Sequence, residues 1–291
     1  RLSRRRFFIG SHFGGVLAVW AVHNNYTLIG GSRSAAQLTS YVVPLLITVL
    51  GVAVLSGSFN IIEIVDFQMG QNEGNVWNIF LLPLGAALFL ITMIAEGERI
   101  PFDMPEAEAE LVEGWWTEYG GIRWGLMFAA EYMRSYAACI LFALFFLGGW
   151  EAPFQHTLSG LPTVGGTFAT VFTAVPGLVW VLIKAWLLFA VFVWIRASLH
   201  RVRTDQILEF GWRYLLPLSV VNLVVATILR LEVWTGEPWN LWVPVTLTLA
   251  ALALFGIFAI DEDEEALEVQ RRPYSTQAVV KASPGSHRKR G

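Results

Sequence analysis

The chain has 291 residues, 55% of them hydrophobic and only 15% charged, with 13 tryptophans, 20 phenylalanines and a net charge of −3. That length would allow one or two soluble domains. However, mean hydropathy is +0.54 and apolar runs near the thickness of a hydrocarbon core recur throughout, so an all-α, polytopic membrane protein is expected. The small charge gives no basis for nucleic-acid binding, and no Cys–His cluster or Gly-rich phosphate loop occurs.

Apolar spans are predicted at about 7–22 (short), 41–57, 79–95, 126–149, 175–195, 214–231 and 241–260, about seven in all. A tilted bundle is expected. Tryptophans 77, 150, 194, 212, 234 and 239 mark their ends, as in an aromatic belt. Residues 1–22 form an atypical segment, in which four arginines among the first six residues precede the short span. Ser3-Arg4-Arg5-Arg6-Phe7-Phe8 superficially resembles a twin-arginine signal, but a polytopic protein needs none. A fragment, or an atypical start, is the expectation. The membrane domain is placed at 23–260.

Loop 196–213 carries Arg196, His200, Arg201, Arg203 and Arg213, the densest basic loop inside the chain. The positive-inside rule makes it cytoplasmic. Two spans separate it from the acidic loop 96–125, which therefore lies on the same side. The tail 261–291 also falls there. It opens on Asp-Glu-Asp-Glu-Glu, closes on His-Arg-Lys-Arg, lacks an apolar period and is expected to be disordered.

Inside the spans a few residues stand out. Lys184 lies near the middle of 175–195, where a lysine costs about 2.5–3.5 kcal/mol unless it faces the bundle or water. It is either a member of a charged path or a lysine satisfied by packing. Glu131, early in 126–149, is either an anchor or a functional acid. Asn222 reads as interhelical glue. Cys139, the single cysteine, reads as packing; alone it forms no internal disulfide and holds no iron–sulfur cluster. No metal site is expected.

The densest chemistry lies in 95–119, where eight carboxylates and one arginine, Arg99, sit between two apolar stretches. Pro101 and Pro105 break any helix before Glu106. From there 106–117 is predicted to be helical. At about 100° per residue Glu106, Glu110 and Glu113 fall within a band of about 60°, and Glu108 points away, beside Trp115. Carboxylates so crowded cannot all ionise cheaply, which raises some pKa values and suits the row to passing protons. The plainer reading is a solvated acidic helix on the membrane surface. Short helices packed at the membrane edge are expected over 96–125.

These residues resemble a known signature. Ala95-Glu96, Arg99, Pro101-Phe102-Asp103, Pro105-Glu106-Ala107-Glu108, Glu110-Leu111-Val112, Gly114 and Thr117-Glu118-Tyr119 are similar to the motif of the quinone-chamber membrane subunit of respiratory complex I, a family with bacterial and mitochondrial members. Further similarities are Tyr26–Gly30, Arg33–Gln37, Ala130-Glu131-Tyr132, Phe146–Trp150, Lys184, Trp194–Ala197 and Asp205-Gln206. The resemblance covers about 26–260. It implies a subunit of a proton-translocating NADH:quinone oxidoreductase that is not active alone. Quinone would be the substrate, and iron–sulfur clusters and flavin would reside in partner subunits. Expected partners are the hydrophilic quinone-site subunits, small membrane subunits and lipid, in a bacterial plasma membrane.

By motif position, the proton or charge path would fall on Glu96, Asp103, Glu106, Glu108, Glu110 and Glu118, then Glu131 and Lys184. Arg33, Arg99, Arg196, Arg201 and Arg203 would line the quinone chamber and docking face. There are departures from the pattern. The family's first two spans and the loop that helps form the quinone entrance are missing, Val42 stands where a glutamate is usual, and Glu113 and Trp115 are atypical. Two alternatives remain, a homologous subunit of an energy-converting hydrogenase and a stand-alone proton-coupled transporter. The first usually carries a degraded motif, and the second usually carries an internal repeat, which is not seen here.

Overall fold

The computed structural model describes residues 19–21, 24–70, 77–103, 119–151, 175–202, 204–235, 246 and 248. All lie in a compact unit of residues 1–248. Every regular element among them is helical, as required where a backbone in hydrocarbon must satisfy its own hydrogen bonds. The predicted spans 7–22 and 241–260 lie almost wholly outside the described residues, and the tail 261–291 entirely so.

Helix α1 (Asn25–Ser56) starts where the Asn24 side chain accepts a bond from the Tyr26 amide at 3.2 Å. It ends at Gly57, whose φ of 75° lets its N–H turn back to the Ala53 carbonyl at 2.9 Å. Its 32 residues make about 48 Å at 1.5 Å each, more than the roughly 30 Å of hydrocarbon. The predicted span 41–57 is therefore only its second part, and 25–40 are helical rather than a loop. Ser34, Gln37, Thr39 and Ser40 had lowered the local hydropathy. A helix absorbs such hydroxyls by back-bonding, as Thr39 does to Ala35 O (2.8 Å) and Ser40 to Ala36 O (2.9 Å).

Short helix α2 (Ile61–Gly70) follows. There the Ser58 and Asn60 side chains hold the exposed Glu63 carboxyl below its usual pKa. The predicted span 79–95 breaks at Leu82 into α3 (Asn78–Leu81) and α4 (Pro83–Glu96). Pro83 opens α4 because the first turn needs no donor there. Next come α5 (Ile122–Phe146), α6 (Gly177–Ser198) and α7 (Thr204–Glu209). A π-turn (Phe210–Leu215) leads into α8 (Leu216–Thr235). Pro217 has no N–H for the turn before it, and the Leu216 N–H reaches back five residues to Gly211 O. Loop 196–213 thus shrinks to a few residues between α6 and α7. Among the described residues four stretches are long and apolar enough to cross a membrane: Asn25–Ser56, Ile122–Phe146, Gly177–Ser198 and Gln206–Leu231. Pro83–Glu96 is apolar but shorter.

Cross-helix contacts give the topology. Gln37 meets Ala95 while Gly51 and Gly85 both meet Asn222, so α4 runs antiparallel to α1. Phe89 packs on Phe142, Phe145 and Phe146, at ring-centroid distances of 5.8–6.1 Å. Arg99, just past α4, meets Glu131, so α5 reverses again. Arg196 meets Tyr132, and Lys184 meets Leu147, reversing α6. Tyr41 meets Ile207 and Leu55 meets Arg230, so α7–α8 run parallel to α1. The bundle is up–down–up–down–up. The start of α1, the end of α4, the start of α5 and the end of α6 share one end. The outward side of α6 is left apolar, with Leu182, Ile183, Trp186, Leu187 and Trp194 exposed. Such a surface suits lipid or neighbouring subunits, not water.

Candidate functional site

Two wrapped turns follow α4, and Arg99 is the centre of what they build. Its guanidinium is buried, 4% exposed. Its Nε lies 3.1 Å from Glu131 Oε1. The guanidinium also stands 4.3 Å from the ring centroid of Tyr132 and 5.4 Å from that of Phe128. Phe128, Glu131, Tyr132 and Ser135 recur at helical spacing, so one face of α5 supplies the carboxylate and both rings. A buried cation is tolerable only when charge and π-density replace water, and here both do. Arg196, from the end of α6, donates to the Tyr132 hydroxyl at 3.3 Å. Two arginines from different elements thus converge on one tyrosine.

Helix α1 holds the turn in place from the other side. The Gln37 amide donates to Ala95 O at 2.9 Å and to Phe102 O at 2.8 Å, bridging the turn's two ends. Tyr41 packs on Phe102 at 5.5 Å and donates to Ile207 O at 2.9 Å. The Val202 N–H donates to Pro101 O at 3.2 Å, and the Ile100–Pro101 bond is cis. Glu98 adopts φ 50°, a left-handed conformation that costs a residue with a Cβ on the order of 1 kcal/mol. It is buried, and the Ser34 hydroxyl donates to its carboxylate. Glu98 was not among the site residues expected from sequence. Its place in the motif, between Glu96 and Arg99, was the available signal.

The residues that were expected divide as follows. Glu96, Arg99 and Glu131 are buried, and Asp103 is half-buried just past the turn. Arg33 and Arg196 are half-buried and Arg201 is exposed, all near the same end of the bundle. Glu106, Glu108, Glu110, Glu118 and Arg203 lie outside the described residues. Lys184 belongs to a different group. Its ammonium donates to the carbonyls of Leu147 (2.6 Å), Gly149 (3.0 Å) and Glu151 (2.7 Å) and lies 5.2 Å from the Trp77 ring. That geometry is the packing-satisfied alternative, and a part in the charged path rests on the resemblance alone. No group of three or more His, Cys, Asp or Glu side chains able to hold a metal ion occurs among the described residues. Chemically, the Arg99 site can hold and redistribute charge.

Comparison with known proteins gives consistent results. The sequence model of a family described as NADH dehydrogenase matches residues 8–227. The chain is 42% identical over 217 residues to the H subunit of the NADH-quinone oxidoreductase of Geobacillus thermodenitrificans, covering 75% of this chain and 59% of that protein. It is 43% identical over the same length to the corresponding protein of Anoxybacillus flavithermus, and 40% identical to that of Bacillus thuringiensis, with the same coverage. The chain therefore spans about three fifths of the length of the curated relatives it matches. With a family match over most of its length and relatives at 40–43% identity, this chain belongs to the NADH dehydrogenase family.

Proposed function

We propose that the chain is a membrane subunit of a proton-translocating NADH:quinone oxidoreductase. It forms part of the quinone chamber and the start of the charged path from quinone reduction to proton pumping. The observation that carries this reading is the buried Arg99–Glu131 pair, stacked on Tyr132 and tied to Arg196. A charged pair at the edge of a membrane bundle responds to the charge state of whatever binds beside it. When quinone takes up two electrons its oxygens become basic, and a cation drawn toward them leaves its carboxylate partner more ready to take up a proton. Glu96, Glu98 and Asp103 surround the same turn and extend the acid supply toward 104–118. The partners are the subunits that carry flavin and iron–sulfur clusters, together with small membrane subunits. The end of the bundle with the Arg99 site, and the tail, face the cytoplasm of a bacterial plasma membrane. The order of charges along the chain favours this over a hydrogenase-type relative, because most of the 95–119 motif is present, with Glu113 and Trp115 its departures.

The test is Glu131→Gln in assembled complexes, which preserves the shape and removes the titratable group. NADH:quinone activity and membrane energisation should fall together by ten-fold or more, while NADH oxidation by ferricyanide stays intact. Unchanged quinone-linked turnover would reduce the pair to a structural contact.

A further inference from the structure

Arg134 sits halfway along the spanning helix α5. It comes twelve residues after Ile122 and twelve before Phe146, about 18 Å from either end. No single arginine side chain stretches that far to water. It is half-buried, and among the described residues it makes no hydrogen bond, ion pair or ring contact. Other cations of the bundle are provided for. Arg99 lies against Glu131, Arg196 donates to the Tyr132 hydroxyl, Arg230 donates to Leu55 O at 3.2 Å, and Lys184 holds three carbonyls. Glu131, nearly one turn before Arg134, is buried and turned toward Arg99.

The surface beside Arg134 is small. Ala130 and Ala137, about one turn before and after it, are exposed, and Ala138 is half-buried. By contrast α6 turns Trp186, Leu187 and Trp194 outward. Large apolar side chains meet lipid without penalty, whereas alanines let another helix backbone come close. At about 100° per residue, Ala130 and Ala137 lie between Met133 and Arg134 around the helix. A helix seated on the two alanines would therefore have the guanidinium at its flank.

A cation at this depth calls for a negative partner. The chain's two remaining predicted spans, 7–22 and 241–260, contain no Asp or Glu. Segment 104–118 is acidic, but it leaves from and returns to the Arg99 end. Each half of it, taken as helix, covers about 10 Å, short of Arg134. Lipid phosphates lie outside the hydrocarbon, level with the helix ends.

We propose that Arg134 and the alanines beside it form the docking surface for a spanning helix of another membrane subunit, one that carries an Asp or Glu carboxylate at mid-membrane depth. This rests on the part of the proposed function that places the chain in a multi-subunit membrane complex, and not on the quinone chamber or the charged path.

The test compares Arg134→Leu and Arg134→Lys with the wild type, by co-purification of the other membrane subunits and by the unfolding midpoint of the full chain alone in lipid nanodiscs. Leucine strands the partner's carboxylate, so the yield of assembled complex should fall ten-fold or more, and lysine should keep most of it. The midpoint of the chain alone should not fall, because Arg134 has no partner there. Photo-methionine gives a second reading, since Met133 is 69% exposed. Its adducts in the wild-type complex should map to a helix of another subunit that contains the acid. Normal assembly of Arg134→Leu, a lowered midpoint of that variant alone, or Met133 adducts confined to lipid or to 104–118 would overturn the proposal. A wild-type chain that co-purifies with no other membrane subunit would overturn the proposed function, and this proposal with it.

Discussion

Arg99 is held by interactions that are not interchangeable. Its guanidinium is a planar fork, so it can bond Glu131 through Nε while its carbon lies 4.3 Å from the Tyr132 ring centroid. Lysine has no such plane. Removing one partner of a buried pair strands the other charge, which costs about 3–5 kcal/mol, whereas replacing both by apolar groups of similar volume is often neutral. Arg99→Met and Glu131→Leu should each lower the unfolding midpoint in lipid nanodiscs, and the double variant should recover most of the loss. Additive losses would show that the two side chains do not act as a pair. At this scale the sequence was partly informative. Arg99 and Glu131 stood out as charges beside apolar runs, because hydrocarbon makes such residues expensive. Their pairing was not legible, since it depends on how α4 and α5 reverse past each other. Glu98 was overlooked because its left-handed backbone and its bond to Ser34 leave no mark on residue type.

Among the elements, the C-terminal end of α5 shows how a helix stops inside a membrane protein. A helix end leaves carbonyls without donors, and here side chains from three elements reach them. Gln68 of α2 donates to Leu144 O at 3.0 Å and accepts the Gly148 N–H at 2.9 Å. Asn78 of α3 donates to Phe145 O at 2.9 Å, and Lys184 takes the three carbonyls beyond. Gly148 and Gly149, at φ 69° and 53°, make the turn, and a Cβ at Gly148 would come within 2.9 Å of Trp77 Nε1. Lys184→Met deprives three carbonyls of their donor at once. It should destabilise the protein by about 3 kcal/mol or more, and Gly148→Ala should do comparable damage through its backbone. Thermal unfolding in nanodiscs, with protease sensitivity of 147–151, measures both. An unchanged midpoint in Lys184→Met would free that lysine for the charged path. Element boundaries were misread where polarity and helicity part company. Residues 25–40 and most of 196–213 looked like loops because they carry hydroxyls and charges, yet a helix continues through them.

For the whole molecule, the alternating bundle brings the turn at 97–103 and the segment at 199–207 to one end, with the first part of α1 beside them. The membrane class was plain in the composition, because apolar runs of spanning length have few other uses. The convergence of Ser34, Gln37, Glu131 and Val202 on one turn was not, because it follows from the order of reversals. Residues 104–118 continue from that turn, and Glu106, Glu108 and Glu110 are the acids next in line along the chain, Glu106 and Glu110 on the face predicted to carry the row. If they only solvate a surface helix, glutamine in their place changes little, since exposed substitutions usually stay within about 0.5 kcal/mol. If they relay charge between quinone and pump, glutamine keeps the shape and removes the proton site. Assembled Glu106→Gln and Glu110→Gln complexes should then lose quinone reduction and membrane energisation in parallel, by ten-fold or more. Electron entry to ferricyanide, upstream of the quinone, should persist. Normal quinone-linked rates and pumping in both variants would end the charged path at the Arg99 group and return 106–117 to the role of a solvated helix.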